Sequence, residues 1–226
     1  MDIRFEQAGA SFEGRTAVEP LTLSLSERRI GIIGLNGSGK TTFARMINGL
    51  VAPTHGRVRV NGADTVDQGD IVRGHVGFIF QNPQNQIILP ILREDIALGL
   101  KRRRLAAAAV NAAVDSVLQR FGIGHLAGRR AHELSGGELQ LAALASVLVT
   151  EPQIVILDEP TNQLDLRNRA LVERTLKALD EHLIVISHDL GLIEGFDRIL
   201  LFHEGRLLHD GIPSEAIAAY REVAAS

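Results

Sequence analysis

The sequence predicts one α/β domain built around a parallel sheet, with an antiparallel β layer and an inserted helical segment. Three observations carry this. Apolar runs at residues 30–33, 76–80, 154–157, 183–186 and 199–202 are continuous rather than alternating, as in strands buried on both faces. A glycine-rich stretch follows the first of these runs and precedes a helix-like segment at residues 43–50. Between Gln81 and Thr150 the pattern turns helical.

The remaining elements follow in order. The first residues and residues 56–61 alternate, the latter with Val58 and Val60 on one face and Arg57, Arg59 and Asn61 on the other, which predicts half-exposed antiparallel strands. Residues 106–121 place Val110, Val114, Val117, Leu118 and Phe121 on one helical stripe, filled in with alanine. Near the end, residues 199–202, the turn His203-Glu204-Gly205 and residues 206–208 read as a hairpin, and Pro213-Ser214 opens a last helix with Ser214 as its cap. The expected division is a nucleotide-binding α/β core of residues 1–81 and 150–226, with residues 82–149 as the helical insertion.

Composition narrows the class without naming a function. With 226 residues, 45% hydrophobic and 23% charged residues and a net charge of −3, the chain fits one substantial soluble domain and lacks the positive field of a nucleic-acid binder. No apolar run is long enough to cross a bilayer, and Met1-Asp2-Ile3-Arg4-Phe5-Glu6 lacks the basic and apolar regions of a signal peptide, so a cytoplasmic protein is expected. There is no cysteine, hence no disulfide or thiolate chemistry.

The glycine-rich stretch Gly34-Leu35-Asn36-Gly37-Ser38-Gly39-Lys40-Thr41 matches G-x-x-x-x-G-K-[ST] in the strand-loop-helix context that motif requires. Such a loop turns backbone N–H groups and a helix N-terminus toward phosphate oxygens, so Gly34, Asn36, Gly37, Ser38 and Gly39 are the candidate cradle, Lys40 the β/γ-phosphate cation and Thr41 the Mg²⁺-binding hydroxyl. Downstream, Asp158-Glu159 end an apolar strand at the edge where open α/β sheets bind ligands. One carboxylate suits a metal and the other an attacking water; the alternative is a pair that caps the next turn, helped by Pro160.

A second motif, Leu134-Ser135-Gly136-Gly137-Glu138, lies between these two, and the three together resemble the ATP-binding-cassette (ABC) ATPases. The resemblance spans nearly the whole chain. It implies a P-loop, RecA-like core with an antiparallel β subdomain and a helical subdomain, ATP and Mg²⁺ as cofactors, and Mg²⁺-dependent ATP hydrolysis. It further implies that Asp158 holds the Mg²⁺ shell through water, Glu159 is the general base, Thr42 touches the α-phosphate, Gln81 senses Mg²⁺ and water, and His188 contacts the γ-phosphate. Phe12 would stack on adenine, although a phenylalanine is also an ordinary core residue. Ser135, Gly136, Gly137 and Glu138 would close over ATP held by a second ABC ATPase subunit, and Asp165 would lie in the loop that crosses between the two. Where many cassettes carry a Gln-Arg pair after the signature, this chain has Leu139-Gln140-Leu141-Ala142, which removes whatever contact that arginine makes.

Gln81-Asn82-Pro83-Gln84-Asn85-Gln86 is similar to the glutamine-rich segment in ATPases of energy-coupling-factor importers; read by itself it is a loop entering a helix. That resemblance implies a subunit peripheral to the cytoplasmic face of the cell membrane, coupled through this segment to a transmembrane subunit and to a separate substrate-binding membrane subunit. It points first to vitamin uptake, biotin above others, and next to cobalt or nickel. A non-transport cassette ATPase and a nucleotide switch are the other readings; no nucleic-acid partner is expected. Lys101-Arg102-Arg103-Arg104 reads as a solvated helix start or as a contact to anionic headgroups.

Overall fold

The structure, a computed structural model, describes residues 1–225. In chain order it comprises β1 (Ile3–Phe12), β2 (Arg15–Leu25), β3 (Arg29–Ile33), α1 (Lys40–Ile47), β4 (His55–Val60), β5 (Ala63–Asp64), α2 (Gly69–His75) and β6 (Val76–Ile79), then α3 (Leu92–Leu98), α4 (Ala107–Arg120) and α5 (Gly136–Leu148). There follow β7 (Ile154–Asp158), α6 (Leu166–Lys177), β8 (His182–Ile186), α7 (Leu190–Ile193), β9 (Arg198–His203), β10 (Arg206–Gly211) and α8 (Pro213–Ala225). Two compact units divide these elements: residues 1–78, 153–159 and 181 onward form one, and residues 79–152 and 160–180 the other. The second unit thus includes α6, which the sequence division leaves in the core; α6 belongs there because it packs on α5.

The first unit has two sheets. The antiparallel one has the order β2-β1-β4-β5, and the six-stranded one the order β10-β9-β3-β8-β7-β6. Strands β9, β3, β8 and β7 are mutually parallel, and their residues are almost wholly buried, as the continuous apolar runs require. Helix α1 is held between the sheets by an aromatic stack: the Phe43 ring lies 4.4 Å from Phe5 of β1 and 4.8 Å from Phe202 of β9, and all three side chains are buried. At the other end of β9, Arg198 donates to both carboxylate oxygens of Asp210 and to Glu27, which ties the terminal hairpin to the end of β2.

Three two-residue turns, Glu13-Gly14, Asn61-Gly62 and Glu204-Gly205, have positive φ at both positions, as type I′ hairpins demand. They correct the sequence reading in two places. Asn61 turns instead of ending β4, and His203 closes β9 instead of joining the turn. Strand β2 was not expected at all. Its alternation of buried Val18, Leu23 and Leu25 is interrupted by Pro20, which is tolerated because β2 is an edge strand.

Other boundaries also move. Helix α1 begins at Lys40, straight out of the loop, and stops at Ile47 because Gly49 turns left-handed, so the expected 43–50 span is shifted. Pro213 occupies the first position of α8, where its missing N–H costs nothing; Ser214 therefore lies inside the helix and is not its cap. In α4 only Val114, Val117 and Leu118 of the expected stripe are buried. Lys101, Arg102 and Arg103 form a separate 3₁₀ turn, with Arg104 left-handed, ahead of α4 rather than at its start, and Arg103 pairs with Glu151. Among the described residues, no helix is long and apolar enough to cross a membrane.

Phe43→Ala removes the middle ring of the stack and should destabilise the protein by about 3–5 kcal/mol. Urea unfolding followed by circular dichroism measures this; a loss below about 1 kcal/mol would show that α1 is held by something else.

Candidate functional site

The parallel register brings three loops to one level. Ile186 pairs with Ile32 on one side and with Asp158 on the other, so β3, β8 and β7 end together and release the glycine-rich loop, the Ser187-His188 segment and the Asp158-Glu159 pair at the same sheet edge. In the loop, Gly34 and Gly39 have φ of 146° and 98°. A β-carbon there would come 2.1 Å from Phe202 O and 2.2 Å from Ala17 O, so only glycine fits. A β-carbon at Gly37, by contrast, would meet nothing, which leaves that side of the loop open.

Lys40 is buried and folded back into its own loop, where Nζ donates to Gly34 O and Leu35 O, both at 2.8 Å. Burial lowers its pKa, opposed by the charges of Glu159 and Asp158. Thr41 Oγ1 lies 3.1 Å from Asp158 Oδ2 and donates to it. Burial raises the pKa of Asp158, opposed by the Thr41 hydrogen bond and by Arg45 and Lys40. A hydroxyl and a carboxylate in contact are a hard-oxygen donor pair. Among the described residues no group of three or more His, Cys, Asp or Glu is placed to hold a metal, so a cation at this pair must draw its other ligands from water or a bound phosphate.

Glu159 sits in the left-handed region at φ 51°, uncommon for a residue with a long side chain, with its N–H fixed to Ile186 O at 2.9 Å. That backbone aims its nearly buried carboxylate at the next loop. His188 Nδ1 donates to Glu159 Oε2 at 2.7 Å, and the His188 backbone N–H approaches the same oxygen at 3.3 Å, while the imidazole remains 60% exposed. Phe12 ends β1 beside the first hairpin turn; it is 49% exposed and so is no core residue.

The remaining candidates lie in the second unit. Gln81 is exposed, just past the end of β6, and Asn82 caps a 3₁₀ turn at Pro83–Asn85. Ser135 caps α5 in a capping box: Ser135 Oγ donates to Glu138 Oε2 at 2.8 Å, and the Glu138 N–H approaches Ser135 Oγ at 3.4 Å. The Ser135 backbone N–H also donates to Glu138 Oε2 at 2.8 Å, and this bond together with the one from Oγ lowers the pKa of Glu138. Asp165 caps α6 by accepting from the backbone N–H and from Nδ2 of Asn168. Sequence reasoning missed Asn168, which matches no motif; its only signal was a position three residues after a helix-capping aspartate.

A glycine-built phosphate loop at a helix start, a lysine within it and a hydroxyl–carboxylate pair beside it define a P-loop nucleotide-binding cassette. The sequence profile of the ABC transporter family matches residues 18–162, and the chain belongs to that family as an ATP-binding, ATP-hydrolysing cassette. It is 67% identical over 225 residues, covering 100% of both chains, to a biotin transport ATP-binding protein of Rhizobium etli. It is 38% identical to an energy-coupling factor transporter ATP-binding protein of Halalkalibacterium halodurans, over 82% of this chain and 68% of that one. In fold it matches cbiO1 of Clostridium perfringens, a part of the ABC transporter complex cbiONQ, with a TM-score of 0.84 and 29% identity over 98% of this chain and 92% of that one.

Because the native fold raises the Asp158 pKa, the folded protein holds a proton that the unfolded chain gives up sooner, and stability falls as pH rises from the ordinary aspartate value through the raised one. Asp158→Asn keeps the acceptor for Thr41 and removes that penalty. Its ligand-free thermal midpoint at neutral pH should exceed the parent's by a few degrees, the difference closing as pH falls below the raised pKa. A midpoint below the parent's at neutral pH would mean that the Lys40 and Arg45 charges outweigh burial.

Proposed function

We propose that this chain is the ATPase subunit of an energy-coupling-factor importer and that the imported solute is biotin. The observation that carries the proposal is its 67% identity, end to end, with the Rhizobium etli biotin transport ATP-binding protein. The subunit is peripheral, on the cytoplasmic face of the membrane. Its partners are a second ABC ATPase subunit, a transmembrane coupling subunit and a substrate-binding membrane subunit, and none of its own residues touches the solute.

In this reading the residues divide the reaction as follows. The backbone of Gly34, Asn36, Gly37, Ser38 and Gly39 holds the phosphates, Thr42 adds an α-phosphate contact and Phe12 supports the adenine. Lys40 exchanges the Gly34 and Leu35 carbonyls for β- and γ-phosphate oxygens, an exchange favoured because a buried ammonium gains more from an anion than from two carbonyls. Thr41 would ligate Mg²⁺ through its hydroxyl and Asp158 would hold the ion's water shell, with Gln81 assigned to the same ion from its motif; Mg²⁺, when bound, neutralises charge that develops on the phosphates.

Glu159 accepts the proton of the attacking water. Its backbone is pinned and one carboxylate oxygen is occupied by His188, so the base is oriented before nucleotide arrives; His188 then turns its exposed ring to the γ-phosphate. Ser135, Gly136, Gly137 and Glu138 close over the nucleotide of the partner subunit, and Asp165 crosses beside them. For that, Ser135 must release Glu138 and present its hydroxyl to phosphate.

Glu159→Gln keeps shape and loses basicity. ATP binding should be retained while steady-state phosphate release falls by at least about 100-fold. Turnover within about threefold of the parent would remove Glu159 from the base role. For the solute, the complex reconstituted in vesicles should take up labelled biotin only with ATP inside the accessible compartment. Transport of cobalt or nickel instead would keep the importer class and refute biotin.

A further inference from the structure

Asn168 joins the two segments of the second unit on which the proposed trans closure rests. Its backbone N–H donates to Asp165 Oδ1 at 2.8 Å and its Nδ2 to Asp165 Oδ2 at 2.9 Å, so one residue occupies both oxygens of that carboxylate. The other half of its amide faces α5. A β-carbon built on Gly137 would lie 2.2 Å from Asn168 Oδ1, 2.6 Å from its Cγ and 2.9 Å from its Cβ, distances at which something must move. One residue earlier, a β-carbon on Gly136 would touch Leu164 Cδ2 at 3.3 Å. The start of α5 and residues 164–168 are thus interlocked, with no side chain of α5 between them.

The backbone of Gly137 does not explain its glycine. It is the second residue of α5, and its φ lies outside the left-handed range, in contrast to Gly34 and Gly39. What excludes a side chain at 137 in the isolated chain is Asn168.

We propose that Asn168 is a positioning residue that registers the Ser135 helix start against the Asp165 loop, so that both meet the partner subunit as one rigid piece, and that it does so by seating directly against the Gly137 backbone. This rests on the trans closure described above. With Asn168 in place, the α5 terminus that receives phosphate and the loop that crosses beside it hold a fixed spacing before association. Without it, each must be ordered when the subunits meet, and that entropy is subtracted from the association free energy.

The test uses the Glu159→Gln protein, in which ATP should trap the associated pair. Adding Asn168→Ala should raise the ATP concentration for half-maximal association, read by analytical ultracentrifugation, by about tenfold. Binding of a fluorescent ATP analogue to the dilute monomer should stay the same, since its phosphate loop is in the first unit. A residue that only caps α6 would lower the thermal midpoint and leave the association threshold unmoved. The second arm places Gly137→Ala in two backgrounds and reads the thermal midpoint of the nucleotide-free monomer, because Gly137 also faces the partner's nucleotide: beside Asn168 it should lower the midpoint by several degrees, and beside Asn168→Gly, which clears all three clashing atoms, by less than about one degree.

An unchanged threshold in Asn168→Ala, or an equal cost of Gly137→Ala in both backgrounds, overturns the proposal. Should Asn168→Gly fail to fold, the first arm decides alone. If the Glu159→Gln protein with native Asn168 never associates in ATP, trans closure itself is refuted; association that is indifferent to residue 168 refutes this inference and leaves closure intact.

Discussion

Strands buried on both faces can present polar chemistry only where they end, and this constraint organises the first unit. From Ile30 to Ile33, Ile154 to Leu157 and Leu183 to Ile186, nothing but aliphatic carbon and a packed glycine is admitted, so the first polar groups appear together at the carboxyl ends of β3, β7 and β8. Parallel pairing with Ile32, Ile186 and Asp158 at one level then sets the height of every group around the phosphate loop. The aromatic stack of Phe5, Phe43 and Phe202 fixes the one remaining freedom, the seat of α1, whose first residues are Lys40 and Thr41.

That arrangement leaves the ligand-free protein under electrostatic tension. Burial works against the ionised form of both Lys40 and Asp158, each is attracted by the other's charge, and among the described residues neither has a direct ion-pair partner: Lys40 bonds backbone carbonyls and Asp158 a hydroxyl. In the proposed reading, a triphosphate with its divalent cation would supply each of them with the missing opposite charge. On that proposal, the stability given up by burying these two charges would be returned when nucleotide binds, in keeping with the left-handed backbone at Glu159.

The legible parts of the fold were those whose physics is local in sequence. Continuous apolar runs announce buried parallel strands, and a glycine-lysine loop after one of them announces a phosphate cradle, so the core strands and the residues from Gly34 to Thr41 could be read directly. Strand β2 escaped because Pro20 argues against a strand until its edge position is known, and the shift of α1 escaped because a loop that feeds straight into a helix has no separate cap. The Glu159–His188 contact and the pairing of Asn168 with Gly137 join residues remote in the chain. Each of these looks unremarkable in its own window, and only tertiary structure makes the pairing.

The antiparallel sheet ends in two edge strands, and each is blunted differently. Strand β5 is two residues long, too short to template another strand, and β2 turns its Glu19 N–H to Gly205 O of the terminal hairpin, at 2.8 Å, instead of leaving it free. A long unpaired edge would recruit the same edge of other copies into β-rich aggregates; the hairpin turn that lies against β2 guards it from its own kind.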